Sequence, residues 1–175
     1  MHESHKLYLG HAGLLGDPRL KGLPLVVALT GYAEAGQAAR QVGEEILETL
    51  DSQQVAEFDV DRLYDYRSRR PRVKFIEDHF EDFDLPELSL RAVTDGLGQP
   101  FLLLSGPEPD LLWQRFAQSV VELAETLDVS LVASVSSMPM PVPHTRPLPV
   151  TAHGNREDLI AGISPWKPIA ELGGS

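Results

Sequence analysis

The chain has 175 residues, 42% of them hydrophobic and 23% charged, with a formal net charge of -11 and no cysteine. These figures fit one globular domain of ordinary size and exclude disulfides, thiolate metal sites and cysteine nucleophiles. The acidic balance repels nucleic-acid phosphates and anionic membranes, and no apolar run approaches the roughly 18 residues that a membrane span needs.

The N-terminus has no basic segment followed by an apolar stretch, so it does not read as a secretory signal and a cytoplasmic protein is expected. Residues 1–11 read as a flexible terminus. Residues 23–29, LPLVVAL, form a continuous apolar run of the kind that a strand buried on both faces shows. Ala35, Ala38, Ala39, Val42, Ile46 and Leu50 then recur at helical spacing, with Gln37, Arg40, Glu44 and Glu48 on the opposite side. Gly36 and Gly43 would each weaken such a helix by about 1 kcal/mol relative to alanine, which points to close packing there. Residues 54–60, QVAEFDV, alternate as a strand does, and strand, helix, strand is the unit of a parallel sheet. The class is therefore α/β.

Residues 62–74 are dense in Arg and Tyr, and residues 77–87 are dense in carboxylates, with Phe80 and Phe83 between them; together they read as an elaborated loop. LSLRAVTD and PFLLLSG flank the turn Gly96-Leu97-Gly98-Gln99 and predict a hairpin. Pro109 and Asp110 suit a helix start, and Leu112, Trp113, Phe116, Val120, Leu123, Ala124 and Leu127 give that helix an apolar face. Residues 129–135 read as a buried strand. Prolines 139, 141, 143, 147 and 149 then force an irregular, stiff segment. Residues 164–175 show no clear periodicity, and no repeat or composition shift divides the chain, so a single domain over 1–175 is expected.

Chemical motifs are sparse. Gly31 and Gly36 have the spacing of a phosphate loop, but Gln37 and Ala38 stand where Lys and Ser or Thr are required, and Glu34 adds negative charge. His2, His5, His11, His79, His144 and His153 have no metal-ligand spacing, and the acidic run around His79 lacks the glycine and alternation of a calcium loop. Ser134, Ser136 and Ser137 follow a strand without the G-x-S-x-G elbow. Neither a catalytic residue, a metal nor a cofactor is expected. The segment Pro143-His144-Thr145-Arg146-Pro147 holds an imidazole and a guanidinium on stiff backbone just past a strand. Arg146 there either grips a carboxylate or phosphate, or pairs with Asp59, Asp61 or another acid to pin the loop.

Three segments together resemble the actinobacterial branch of the proteasome assembly chaperone 2 family: Asp65-Tyr66-Arg67-Ser68-Arg69-Arg70-Pro71, then Gly106-Pro107-Glu108-Pro109-Asp110 with Trp113, Arg115 and Phe116, then Pro143-His144-Thr145-Arg146-Pro147. The match runs over residues 12–162. It implies a three-layer α/β/α fold of the phosphorylase/hydrolase-like kind around a mostly parallel sheet. It also implies homo-oligomers, trimeric in relatives, and no established enzymatic activity. Founding members are chaperones of proteasome assembly, so proteasome subunits are the partners that the resemblance suggests. Those chaperones dock through a hydrophobic-Tyr-X tail, whereas this chain ends Glu171-Leu172-Gly173-Gly174-Ser175, and relatives continue beyond this length. The sequence thus resembles the front part of a longer domain, with core surface expected to lie open. The surface expected to recognise partners is Arg67, Arg69 and Arg70 with His144 and Arg146, joined by Glu108 and Asp110 of the second segment. The rival expectation is a small-molecule binder or phosphorylase-like enzyme, with Arg146 on phosphate and His144 as acid or base.

Overall fold

The computed structural model describes residues 6–31 and 34–163, which fall into two compact units, Met1–Pro139 and Met140–Ser175. The first unit begins with β1 (Tyr8–Gly10) and the short α1 (Ala12–Leu15), then a 3-10 turn at Pro18–Leu20. There follow β2 (Pro24–Thr30), α2 (Ala38–Thr49), β3 (Ser52–Phe58), α3 (Val60–Leu63), β4 (Arg72–Ile76) and β5 (His79–Asp84). It ends with β6 (Ser89–Thr94), β7 (Pro100–Pro107), α4 (Trp113–Thr126) and β8 (Leu131–Ser134). The described part of the second unit is irregular over its proline-rich stretch and contains one helical turn, α5 (Glu157–Ile160).

Among the described residues, six strands form one mixed sheet in the order β1-β3-β6-β7-β2-β8, and β4 pairs only with β5. β2 runs parallel to β7 and β8, so the centre is parallel as expected. The remaining pairings are antiparallel because β6 and β7 are joined by a tight turn and β1 returns alongside β3. That turn lies where Gly96 to Gln99 predicts it. Asp95 Oδ1 accepts the amides of Leu97 and Gln99 at 2.8 Å each, and Gly98 takes φ +78°.

Alternation along β2 and β7 divides the core into two layers. Leu25, Leu102 and Leu104 face Phe116 and Leu123 of α4 and Leu127 just after it, together with Phe58 and Leu90. Ala28 and Leu103 face the other way, toward Ile46 of α2 and Leu50 at its end. One helix covers each face, which is the expected α/β/α layering. Each fully buried leucine contributes about 1.5–3 kcal/mol by leaving water.

Several expectations are corrected. The terminus taken as flexible contains β1, because Leu7 and Tyr8 are buried and Tyr8 to Gly10 pair with β3; residues 1–5, with His2 and His5, lie outside the described residues. The segment read as a loop contains the end of α3 and the β4–β5 hairpin, held by the Phe75–Phe80 edge contact at 4.9 Å and a Lys74–Asp82 ion pair at 2.8 Å. The strand expected to be buried, β8, is exposed along its length, since its one described neighbour is β2. Gly36 lies ahead of α2 at φ +64° with open space around it, so it supplies a left-handed turn and not close packing. The irregular tail 164–175 lies outside the described residues.

Candidate functional site

Two of the three quoted segments meet where β7 ends. After α3 the chain turns at Asp65, whose Oδ1 accepts the Arg67 amide at 2.9 Å and whose carbonyl accepts the amides of Ser68 and Arg69 at 3.0 and 2.9 Å. This Asx-type turn presents three arginines on a short arc. After β7, Pro109 is fully buried, and the amides of Asp110 and Leu111 both donate to the Leu63 carbonyl at 2.9 and 3.0 Å.

Asp110 is the tie between them. Its Oδ2 accepts the Asp65 amide at 3.0 Å, and its Oδ1 pairs with Arg69 Nη2 at 3.0 Å. The Arg69 guanidinium also stacks over the Tyr64 ring, 5.5 Å from its centroid, and the Tyr64 hydroxyl donates to the Pro107 carbonyl at 2.6 Å. Burial pushes the Tyr64 phenol well above the ordinary tyrosine range, opposed by the neighbouring Arg69 and supported by Asp110. Tyr64 is therefore a fixed neutral donor. The Tyr66 phenol is pushed up to about 12, first by its hydrogen bond to Asp61 at 2.7 Å. Glu108 sits at the head of β7; its amide donates to Thr30, and a Cβ on Gly31 would lie 2.5 Å from Glu108 Oε2. Glycine at 31 lets that carboxylate approach the end of β2.

The candidate residues thus divide by use. Arg69 and Asp110 brace the loop, Arg67 and Arg70 are exposed on it, and Glu108 lies beside Gly31 at the end of β2. His144 and Arg146 belong to the second unit, where both are exposed and the Arg146 amide donates to Pro143 at 3.0 Å. Neither forms an ion pair with a described residue of that unit. Asp110 does not open α4 as expected: the helix starts at Trp113, after Leu112 in left-handed geometry at φ 56°.

Sequence reasoning missed the apolar part of this surface. Leu111, Leu112 and Trp113 are 48%, 40% and 48% exposed, beside the Asp110 tie. Three consecutive apolar residues cannot all face one side of a helix, and that was the available signal. The phosphate-loop exclusion acquires a physical form here: Glu34 Oε1 accepts the Arg40 amide at 3.0 Å, placing a carboxylate at the first turn of α2. The Ser137 hydroxyl donates to the Ala35 carbonyl at 2.7 Å and anchors that same loop.

A sequence model of the PAC2 family matches residues 28–175. A Mycobacterium tuberculosis protein of unknown function, Rv2714, is 43% identical, and the match covers 99% of this chain and 60% of that one at a TM-score of 0.87. A Corynebacterium glutamicum protein of unknown function is 38% identical, with 97% and 64% covered and a TM-score of 0.86. A Mycobacterium tuberculosis proteasome-assembly chaperone homologue, Rv2125, shares the fold at a TM-score of 0.75 and 22% identity, with 87% and 65% covered. This chain therefore spans less than two thirds of each of these proteins. No curated protein matches it.

Proposed function

Because the chain belongs to the PAC2 family, we propose that it is a non-enzymatic cytoplasmic protein of the assembly-chaperone type, which binds protein partners through the braced arginine loop. One observation carries this reading. The Arg69–Asp110 tie holds exposed Arg67 and Arg70 next to exposed Leu111, Leu112 and Trp113, the arginine and tryptophan composition that dominates binding energy at protein interfaces. The nearby carboxylates serve the loop itself, Asp65 through its turn and Asp110 through Arg69, which favours binding over acid–base chemistry. On a chain of net charge -11, a local cluster of arginines selects an acidic patch on the partner. Likeness to a proteasome-assembly chaperone homologue makes proteasome core subunits the first partners to test. We also take His144 and Arg146 as a second contact point and a homo-oligomer as the binding form.

The test mixes the purified protein with purified proteasome core subunits and reads complexes and oligomeric masses by native mass spectrometry. Arg67→Ala with Arg70→Ala, and separately Trp113→Ala, should each weaken the complex at least about 10-fold, the effect of losing one interface anchor. Absence of any complex, or undiminished binding by all three substitutions combined, would refute the proposal.

A further inference from the structure

On the face of the sheet opposite α4, α2 and the ends of β2 and β7 border a recess of about 410 Å³. That volume falls within the range of small-ligand sites, and the ends of parallel strands are where α/β folds place ligands. Small residues make the room: Ala28, Ala39 and Gly43 line the floor, and a Cβ added at Gly43 would only reach ordinary contact with Ser105 and Ala28 at 3.7 and 3.8 Å.

Ser105 is the informative residue. It is 8% exposed, lines the recess, and its hydroxyl makes no hydrogen bond with a described residue. No fully enclosed side-chain polar atom among the described residues lacks a partner, so this hydroxyl must open into the recess. A hydroxyl placed there is open to a hydrogen bond from water or a ligand. Two carboxylates, Glu44 and Glu87, stand at the rim. Glu44 uses Oε1 toward Arg40 at 2.6 Å; Glu87 uses Oε1 toward Ser89 at 2.7 Å and Arg91 at 3.3 Å. In both, Oε2 has no hydrogen bond to a described residue and is available to a ligand.

An anion is disfavoured on three counts. The first turn of α2, its natural landing place, is occupied by the Glu34 carboxylate; Arg40 is engaged by Glu44; and the chain as a whole carries -11. We infer that this recess binds a small organic cation, a primary amine or guanidine on a short carbon frame. The cationic head lies between the free Oε2 atoms of Glu44 and Glu87, and the frame rests against Leu47 and Pro107. A hydroxyl or second amine reaches Ser105 and Thr30. None of the arginines of the partner-binding surface lines this recess, so the two sites stand or fall separately.

The experiment is a thermal-shift and calorimetric titration of the full chain with agmatine and putrescine at constant ionic strength, with sodium chloride and inorganic phosphate as comparison arms. An amine at about 100 times its Kd should raise Tm by about 5–10 °C, the shift expected for a ligand that binds only the native state of a chain this size. Ser105→Ala and Glu44→Gln should each reduce the amine affinity at least about 10-fold, and Ala39→Leu should abolish binding by filling the floor. If Ala39→Leu does not fold, the surface substitution Glu44→Gln still decides. The inference is overturned if neither amine shifts Tm, if sodium chloride or phosphate produces the same shift, or if Glu44→Gln and Ser105→Ala bind agmatine and putrescine as well as the unaltered chain does.

Discussion

Arg69 and Asp110, drawn from segments on either side of the hairpin and two sheet strands, meet at 3.0 Å with side chains 34% and 22% exposed. The pair is only partly shielded from solvent, so its Coulomb energy alone is modest. Asp110 nevertheless also accepts the Asp65 amide, and its removal leaves that amide and a stacked guanidinium without their acceptor. Asp110→Ala should therefore destabilise the protein by about 1–2 kcal/mol and lower Tm by about 2–8 °C. A double-mutant cycle with Arg69→Ala checks the origin: a coupling near zero would mean that the tie does not hold the loop.

Two glycines should respond oppositely to the same added methyl group. Gly106 lies at φ +136°, and a Cβ there would collide with the Glu87 carbonyl and come within 2.9 Å of Leu88 Cα, both backbone. Gly106→Ala should cost at least about 3 kcal/mol or prevent folding. Gly43 lies inside α2 with room for a methyl, so Gly43→Ala should stabilise by about 0.5–1 kcal/mol. Urea denaturation of both variants measures the contrast, and equal destabilisation would contradict the packing described for α2.

Legibility in the sequence followed the range of the interaction that fixes each element. β2, the β6–β7 hairpin and the helical face around Phe116 and Leu123 announce themselves because their burial pattern and turn residues are local. The β4–β5 hairpin has no such pattern: β4 is exposed on both faces, so no alternation toward a core marks it, and the charges of the hairpin resemble those of a loop. β8 has the composition of a buried strand, but burial depends on neighbours on both sides, which four residues cannot reveal. Pro109 and Asp110 look like a helix start because proline and acid favour first turns. Here the Leu63 carbonyl and Arg69 claim that backbone and carboxylate instead, a contact no local rule contains. The arginine loop was legible as a candidate through its resemblance to a family, whereas exposed Leu111 and Trp113 were concealed by helical spacing.

His79 supplies a pH dependence. Its ring nitrogens face Asp78 Oδ1 at 3.0 Å and Glu81 Oε1 at 2.6 Å, and these hydrogen bonds, Asp78's first, raise its pKa above the usual 6.5. A raised folded pKa means that the stabilisation is fully present below pH 6.5 and is lost as pH rises through the folded value. Amide exchange in β4 and β5 should accordingly speed up on going from mildly acidic to mildly alkaline buffer beyond the intrinsic increase, and less so at high salt. Histidine NMR titration should give a value above 6.5 that falls in Asp78→Asn. A titration at or below 6.5 would remove the ion pairs from this description of the hairpin.

The hairpin should also open without the sheet. Phe75 and Phe80 are cross-strand partners, 60% and 64% exposed, and their edge contact at 4.9 Å is an apolar link between β4 and β5. Such a pair is worth about 0.5–1.5 kcal/mol. A two-stranded ribbon with both faces in water is marginal by itself, so losing the contact should melt the ribbon locally. The two core layers on either side of β2 and β7 contain neither phenylalanine. In Phe80→Ser, amide protection should therefore fall across β4 and β5 while protection in β2 and β7, and the global Tm to within about 2 °C, stay unchanged. A matching loss of protection in β7 would mean that the hairpin is coupled to the sheet and that the Arg67–Arg70 loop, which leads into it, moves with the core.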